Sequence, residues 1–277
     1  MALVDFILNL AGLLLWLSWR AAKFDPLAQA KASTLAGTLK MARGPHSRRG
    51  VLLAAVAGLL LIRAIFYWQV GPALDWTPTL DLTVTALPFR SDYFSRVLLF
   101  SVLSFGRALG LACLWVVFLA ILKHGAADTD PLRKLARVTL GRLARWPGPL
   151  LLLVALVLGT GVWMTLQPLL ARLGIGPRTA ASAQVFQQGL LVTARELLTL
   201  RYLFAVFLVA HLLHSYVYFG SYAAWDSVND AGRTLLRPLR WLPLRLGRVD
   251  FAPVVGIALV FLLSEMALRY LPKLNPH

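Results

Sequence analysis

The chain of 277 residues is 58% hydrophobic and only 14% charged, whereas soluble domains carry about 25% charged residues. A formal net charge of +16 would suit nucleic-acid binding in a soluble protein, but these charges lie in short loops between apolar segments, as topology determinants do. The single cysteine, Cys113, excludes an intramolecular disulfide and a cysteine-based zinc site. We therefore predict an all-α, polytopic membrane protein that lies in the lipid bilayer and does not bind nucleic acid.

Six segments are long and apolar enough, or nearly so, to cross the roughly 30 Å hydrocarbon core of a bilayer as helices. In chain order they are Leu3–Trp19, Val51–Val70, Val97–Leu122, Leu150–Leu170, Tyr202–Phe219 and Phe251–Leu271. The first is the weakest of the six, because it is short and carries Asp5 and Asn9. Its acidic start differs from the basic start of a cleavable signal peptide, so we expect it to be a membrane helix.

Two connecting stretches show patterns of their own. Ala181–Arg201, which leads into the fifth span, is polar and predicts an interfacial helix. Gly71–Asp92 holds three prolines and a stretch, Leu80–Leu87, that predicts extended chain within a surface loop.

Most of the Lys and Arg residues fall in three loops, which join spans one and two, three and four, and five and six. Each loop opens on an acidic turn, Asp25-Pro26, Asp130-Pro131 or Asn229-Asp230. The positive-inside rule places these loops in the cytoplasm and both termini on the non-cytoplasmic side. The recurring layout predicts three repeated units of two spans each, over residues 1–70, 94–172 and 181–272.

The second basic loop predicts an amphipathic helix over Pro131–Trp146, with Asp130 as its N-cap and Pro131 in its first turn. At about 100° per residue, one face is mainly apolar and holds Leu132, Leu135, Ala136, Thr139, Leu143 and Trp146. The opposite face is basic and holds Arg133, Lys134, Arg137 and Arg145, with Arg142 as an exception to this separation. Such a helix lies in the headgroup plane, where it binds anionic lipid or a partner; the alternative is that its charges only set the topology.

The third basic loop repeats this pattern over Arg233–Leu242. Four leucines there oppose Arg233, Arg237 and Arg240. Pro238 and Pro243 are expected to bend or end this helix.

Family-like features lie in the last quarter of the chain, Leu198–Tyr270. An apolar span leads to Asn229-Asp230 as a turn, an amphipathic helix ends in Leu236-Arg237-Pro238, and Asp250-Phe251-Ala252-Pro253 starts the next span. This order resembles the YggT family of integral membrane proteins. Residues 94–170 resemble it more loosely, with Asp130-Pro131 as the turn. The chain departs from the family pattern in lacking a proline after Asn229 and in carrying an extra N-terminal pair of spans.

The resemblance implies a protein of the bacterial inner membrane or of a thylakoid-type membrane. The family roles that it implies are the organisation of membrane or division-site components, assembly of membrane cytochrome complexes, and ion homeostasis under osmotic stress. We therefore expect a bacterial inner-membrane protein, an enlarged variant of the family.

Ionisable residues in or beside the spans are functional candidates, because charge is costly in a bilayer. The intramembrane set is Arg107, Arg195, Glu196 and Arg201. A pair between Glu196 and Arg107 suits either an ion pathway or a structural contact. His211 and His214 share one helix face, and His124 lies near the same end as His214, so these three are the candidates for haem ligation. Our main expectation is nonetheless that the chain holds no metal and no cofactor.

The sequence contains no Gly-rich phosphate cradle, nucleophile elbow or zinc-type His pattern. We therefore predict a non-enzymatic scaffold, assembly factor or accessory subunit of a membrane complex, with anionic lipids and other membrane proteins as its partners. The alternatives are an ion channel or transport protein in osmotic homeostasis and a haem-binding membrane protein.

The predicted sidedness is testable with single cysteines in a Cys113→Ala background. A membrane-impermeant maleimide added to intact cells should label Thr77→Cys in the Gly71–Asp92 loop, but should label Thr234→Cys only after the membrane is permeabilised. Labelling each variant again in detergent controls for the accessibility of its thiol. Labelling of Thr234→Cys but not of Thr77→Cys in intact cells would show that the orientation is the reverse of the predicted one.

Overall fold

A computed structural model of the chain describes residues 2–22, 45–74, 76–81, 86–176, 182–216, 222–239, 241, 245–246 and 249–270. The α-helices in these ranges are α1 (Ala2–Ala21), α2 (Pro45–Val70), α3 (Phe94–Leu122), α4 (Pro131–Leu140), α5 (Gly148–Arg172), α6 (Ser182–Leu198), α7 (Leu200–Tyr216), α8 (Ala223–Leu235) and α9 (Ala252–Tyr270). Short 3₁₀ turns cover Pro72–Leu74, Gly141–Arg145 and Arg237–Leu239. The strands are β1 (Thr79–Asp81), β2 (Ala86–Pro88), β3 (Arg245–Leu246) and β4 (Val249–Asp250).

Six helical stretches among the described residues are long and apolar enough to cross a membrane, and each lies on a predicted span. They are α1, α2, α3, α5, the consecutive helices α6 and α7, and α9. The prediction of an all-α, polytopic membrane protein is therefore confirmed. The first basic loop, residues 23–44, lies outside the described residues, and so does Arg240.

The chain divides into two compact units, Met1–Ala112 and Cys113–His277, with the division inside α3. We call them unit 1 and unit 2. The repeat of three two-span units stays a prediction, because compactness does not measure internal similarity.

In unit 1, α1 and α2 pack antiparallel. Asp5 near the start of α1 bonds to Arg63, whereas Trp19 near its end lies under the guanidinium of Arg49, 5.6 Å from the ring centroid. A Cβ built on Gly12 would lie 2.7 Å from the Phe105 ring. Glycine at this position therefore lets α1 approach α3 closely.

A buried arginine is the centre of the polar contacts in unit 1. The Arg63 side chain is 1% exposed. Its guanidinium donates to Asp5 Oδ1 at 2.6 Å, to Asn9 Oδ1 at 2.8 Å and to Ser104 Oγ at 2.9 Å. Tyr67 donates its hydroxyl to the same oxygen of Asp5 at 2.5 Å. The two polar residues that made the first span the weakest prediction are thus the partners of a charge carried by the second.

An aromatic cluster and a hairpin complete unit 1. The hairpin pairs Thr79 with Pro88 and Leu80 with Leu87, and both leucines are buried. The prediction of extended chain over Leu80–Leu87 is thus confirmed for its described ends. Edge-to-face and tilted contacts join the aromatic rings of Tyr67, Trp76, Phe89 and Phe100.

Unit 2 contains a helix pair that the sequence prediction missed. A Cβ built on Gly159 of α5 would lie 2.6 Å from Thr193 of α6, and one on Gly189 of α6 would lie 3.1 Å from Trp163. These contacts hold α6 antiparallel along the middle of α5. The prediction of an interfacial helix over Ala181–Arg201 is therefore wrong, because small residues let the polar stretch pack against a span.

The buried ion pair of unit 1 yields a stability prediction. Asp5→Leu should destabilise the detergent-solubilised protein by on the order of 3 kcal/mol, because it leaves a buried guanidinium uncompensated. The double variant Asp5→Leu/Arg63→Met should recover much of that loss, because it removes both charges. Thermal unfolding followed by circular dichroism measures both effects.

Glu265→Leu is the matched control. Glu265 pairs with Arg269 at 3.3 Å, but both side chains are exposed, so its loss should cost less than about 1 kcal/mol. Equal destabilisation by Glu265→Leu and Asp5→Leu would contradict the importance of burial at Arg63.

Candidate functional site

Helix α4 begins as its sequence predicts. Asp130 is its N-cap, and its Oδ1 accepts from the backbone N–H groups of Leu132 at 2.9 Å and Arg133 at 3.2 Å. Pro131 occupies the first turn, where its missing N–H costs nothing. The helix ends earlier than predicted, because Gly141 adopts a φ of +63° and the chain continues as a 3₁₀ turn to Arg145. The prediction of one helix to Trp146 is thus wrong over its last turns.

The apolar face of α4 packs against the spans of unit 2. Ala136 is buried beside Val117, Ala120 and Leu151. Leu132 and Leu135 pack against a second cluster, which contains Leu119, Leu203, Phe207 and Ala231. Protein therefore covers much of the face that the sequence assigned to the bilayer, and α4 is fixed to the ends of α3, α5 and α7.

Helix α8 differs from the predicted helix of the third loop. It covers Ala223–Leu235, so Asn229 and Asp230 lie inside it. The prediction that these two residues form a turn is wrong, and so is the prediction of a helix over Arg233–Leu242. The missing proline after Asn229 leaves the backbone N–H of Asp230 free for helical bonding. The helix ends at Leu235, before Pro238, because proline lacks the N–H that would continue the helical hydrogen bonds.

The buried face of α8 is made of small and polar residues. His211 Nδ1 on α7 donates to Asn229 Oδ1 at 2.5 Å. A Cβ on Gly232 would lie 2.5 Å from the Cβ of His211, so only glycine permits this approach of α8 to α7. Asn229 therefore binds its neighbouring helix rather than forming a turn.

Asp130 joins three parts of unit 2. Besides capping α4, its Oδ1 accepts from the Ser227 hydroxyl on α8 at 2.7 Å. Its Oδ2 lies 3.0 Å from Lys123 Nζ just beyond α3, and the Lys123 side chain is only 6% exposed. Burial alone would raise the pKa of Asp130, but hydrogen bonds from Ser227, Lys123 and the Arg133 N–H outweigh it and lower that pKa. The carboxylate therefore stays ionised at neutral pH and compensates Lys123.

A second carboxylate of the same connection is exposed. Asp128 is 65% exposed and accepts from Arg137, with Arg133 at 3.4 Å. The hydrogen bond from Arg137 lowers the pKa of Asp128. Because the pair faces water, it contributes little to stability.

Two clefts adjoin at this junction. The cleft beside α8 has a volume of about 350 Å³ and is lined by Leu122, Lys123, His124, Ala126, Asp230, Arg233, Thr234 and Arg237. The cleft beside α4 has a volume of about 200 Å³ and is lined by Ala120, Lys123, His124, Gly125, Arg133, Ala136, Arg137, Ala144 and Arg145. We call them the α8 cleft and the α4 cleft. Lys123 and His124 belong to both.

The structure gathers most of the predicted surface residues. Arg133, Arg137 and Arg145 line the α4 cleft, and Arg233 and Arg237 line the α8 cleft. Lys134 is exposed on α4 and lines neither.

Sequence reasoning missed two residues of this junction, Lys123 and Ser227. Lys123 counted only as a loop charge. Ser227 carried no signal, because it meets Asp130 across 97 residues of chain.

The histidines proposed for haem ligation lie in different surroundings. His124 is exposed in the clefts. His211 bonds to Asn229, whereas His214 Nδ1 is buried without a hydrogen-bond partner. Among the described residues, no group of three or more His, Cys, Asp or Glu side chains is arranged to hold a metal ion.

The intramembrane polar residues are distributed over both units. Arg107 in unit 1 donates to the Asp81 carbonyl of the hairpin. In unit 2, Arg201 donates to the Tyr202 hydroxyl at 2.9 Å and lies over the Phe261 ring. Arg195 and Glu196 lie near the end of α6 and are half-buried. The pair of Glu196 with Arg107 stays a prediction.

No protein-family model, curated protein or solved structure matches this chain. The junction of α3, α4, α7 and α8 is therefore the main guide to function.

The Asp130 contacts predict a local change in stability. Asp130→Ala removes a helix cap, worth about 1 kcal/mol, and leaves the nearly buried Lys123 uncompensated. We expect amide protection in α4 and α8 to fall by roughly a hundredfold, about 3 kcal/mol. Hydrogen exchange read by mass spectrometry measures it, and Asp128→Ala is the exposed control.

The same measurement has an expected pH dependence. Because folding lowers the pKa of Asp130, its stabilising effect is present above the unfolded pKa of about 3.9 and is lost as pH falls through the folded pKa. Protection factors of α4 and α8 should therefore drop at acidic pH in the wild type and change less in Asp130→Ala. Equal loss of protection in the Asp128 and Asp130 variants would contradict the role of Asp130.

Proposed function

We propose that this chain is a non-enzymatic membrane protein that acts as a scaffold, assembly factor or accessory subunit of a membrane complex. In this proposal α4, the 3₁₀ turn to Arg145 and α8 form a docking platform on the cytoplasmic face of a bacterial inner membrane. The observation that carries the proposal is the fixed attachment of these two basic helices to each other and to the spans.

The platform is preorganised for binding. Asp130 bonds to Ser227 and Lys123, and Leu132 and Leu135 pack beside Ala231 of α8. A surface that is already ordered loses little conformational entropy when a partner docks. Basic helices that only set topology would need no such attachment.

The outward side chains suit an acidic partner. Lys134, Arg142, Arg145 and Arg233 are exposed on the platform, and Arg237 is exposed just beyond the end of α8. The exposed aromatic residues Trp146, Tyr222 and Trp241 accompany them. Arginine and large aromatic side chains are the residue types enriched at protein interfaces.

The polar groups within the platform are already engaged in structure. The Asp130 carboxylate and the Ser227 hydroxyl are bound to each other, and Asn229 is bound to His211. Groups held in such contacts support a structural role for the junction rather than a catalytic one. We also propose that the chain is an enlarged variant of the YggT family, which it resembles. The organising and assembling roles that this resemblance implies agree with a structural role for the junction.

Extraction of the tagged full chain from native membranes in polymer nanodiscs tests the proposal. A protein partner should co-purify with the wild type. The amount of that partner should fall several-fold with Lys134→Gln/Arg142→Gln, which removes two exposed platform charges that line neither cleft. The control Arg172→Gln/Arg269→Gln removes two exposed charges at the far ends of α5 and α9. Quantitative mass spectrometry compares the three samples.

Two results would count against the scaffold. One is a wild-type chain that co-purifies with no protein partner. The other is equal loss of the partner in the platform and control variants, which would indicate a general effect of charge.

A further inference from the structure

The α4 and α8 clefts share one wall, formed by Lys123 and His124. We propose that this pair of clefts is a binding site for a lipid headgroup that carries two phosphate groups joined by a short bridge. This lipid site does not depend on whether a protein docks on the platform.

The charge of the clefts selects an anion. The α4 cleft presents Arg133, Arg137 and Arg145, and the α8 cleft presents Arg233 and Arg237 with Asp230 as its acidic residue. Asp130 already compensates Lys123, yet cations still outnumber acids in both clefts. Guanidinium groups bind phosphate oxygens through paired, charge-assisted hydrogen bonds.

The number of clefts selects a ligand with two anionic groups. Each cleft has its own arginines, and only Lys123 and His124 are common to both. A single phosphate would occupy one cleft and leave the arginines of the other unneutralised. Two phosphates on one headgroup would place one in each cleft on either side of Lys123.

The position of the clefts selects a lipid over a soluble anion. Lys123 directly follows Leu122, the last residue of the membrane-crossing helix α3. Leu122 lines the α8 cleft and Ala120 lines the α4 cleft, so apolar surface of the span reaches both. The end of a span is the level at which phospholipid phosphates lie.

Asp128 acts as a competitor for the site. It accepts from Arg137 and approaches Arg133, and both arginines line the α4 cleft. Because its side chain is 65% exposed, it can leave when a phosphate arrives. A phosphate must therefore displace this carboxylate before both arginines can bind it.

Native mass spectrometry of the full-length protein in detergent tests the site. The probes are cardiolipin with two phosphates, phosphatidylglycerol with one, and inorganic pyrophosphate as a free diphosphate. We expect cardiolipin to bind roughly tenfold more tightly than phosphatidylglycerol, because each charge-assisted contact adds affinity. Pyrophosphate should displace it only in large excess.

Three variants locate the binding. Arg137→Gln should weaken cardiolipin binding by roughly tenfold, and Asp128→Asn should strengthen it several-fold by removing the competing carboxylate. Lys134→Gln on the same helix lines neither cleft and should change nothing. The gain with Asp128→Asn cannot arise from misfolding.

Several outcomes would overturn the site. Equal affinity for cardiolipin and phosphatidylglycerol would remove the need for two phosphates. Pyrophosphate that binds as tightly as cardiolipin would replace the lipid with a free diphosphate. Equal loss of cardiolipin affinity with Lys134→Gln and Arg137→Gln would show that the lipid responds only to general surface charge. None of these outcomes depends on the protein partner, because the lipid-binding test uses the purified chain. The co-purification test in nanodiscs is likewise independent of this site, because its variants leave the clefts intact.

Discussion

The ion pair of Asp130 with Lys123 is the constraint on which the basic end of unit 2 depends. Lys123 is nearly buried at the end of a span, and an ammonium group there is costly unless an anion faces it. Asp130 supplies that anion, and the same carboxylate caps α4 and accepts from α8. One charge requirement therefore fixes where α4 starts and which helix lies beside it.

Unit 1 also contains a buried cation that needs acceptors facing it. Arg63 is buried within α2, and three side chains from α1 and α3 accept its hydrogen bonds. Asp5 and Asn9 lower the hydropathy of α1, yet they determine its pairing with α2. In both units, the polar residues that interrupt the apolar pattern select one arrangement of helices that are otherwise similar in their apolar surfaces.

Hydropathy and local caps predicted the spans and the start of α4, because both signals lie within a few neighbouring residues. The same reasoning failed at α6 and at α8. Placing α6 along α5 depends on Gly159 meeting Thr193 and Gly189 meeting Trp163, and no local pattern identifies such partners. Asn229 was expected in a turn because its intrinsic preference is for turns, but a bond to His211 on α7 overrides that preference.

The arrangement of basic residues also bears on two explanations that the sequence left open, recognition of a ligand and the setting of topology alone. The positive-inside rule needs only the number of Lys and Arg residues in a loop, and it is indifferent to where their side chains lie. Lys134 and Arg142 satisfy that rule without any defined placement, since both are exposed outside the clefts. Arg137 and Arg237, which are 100 residues apart in sequence, instead line adjoining clefts on either side of Lys123. Topology does not require such convergence, so these arginines support the proposal that the charge of this face serves recognition as well as orientation.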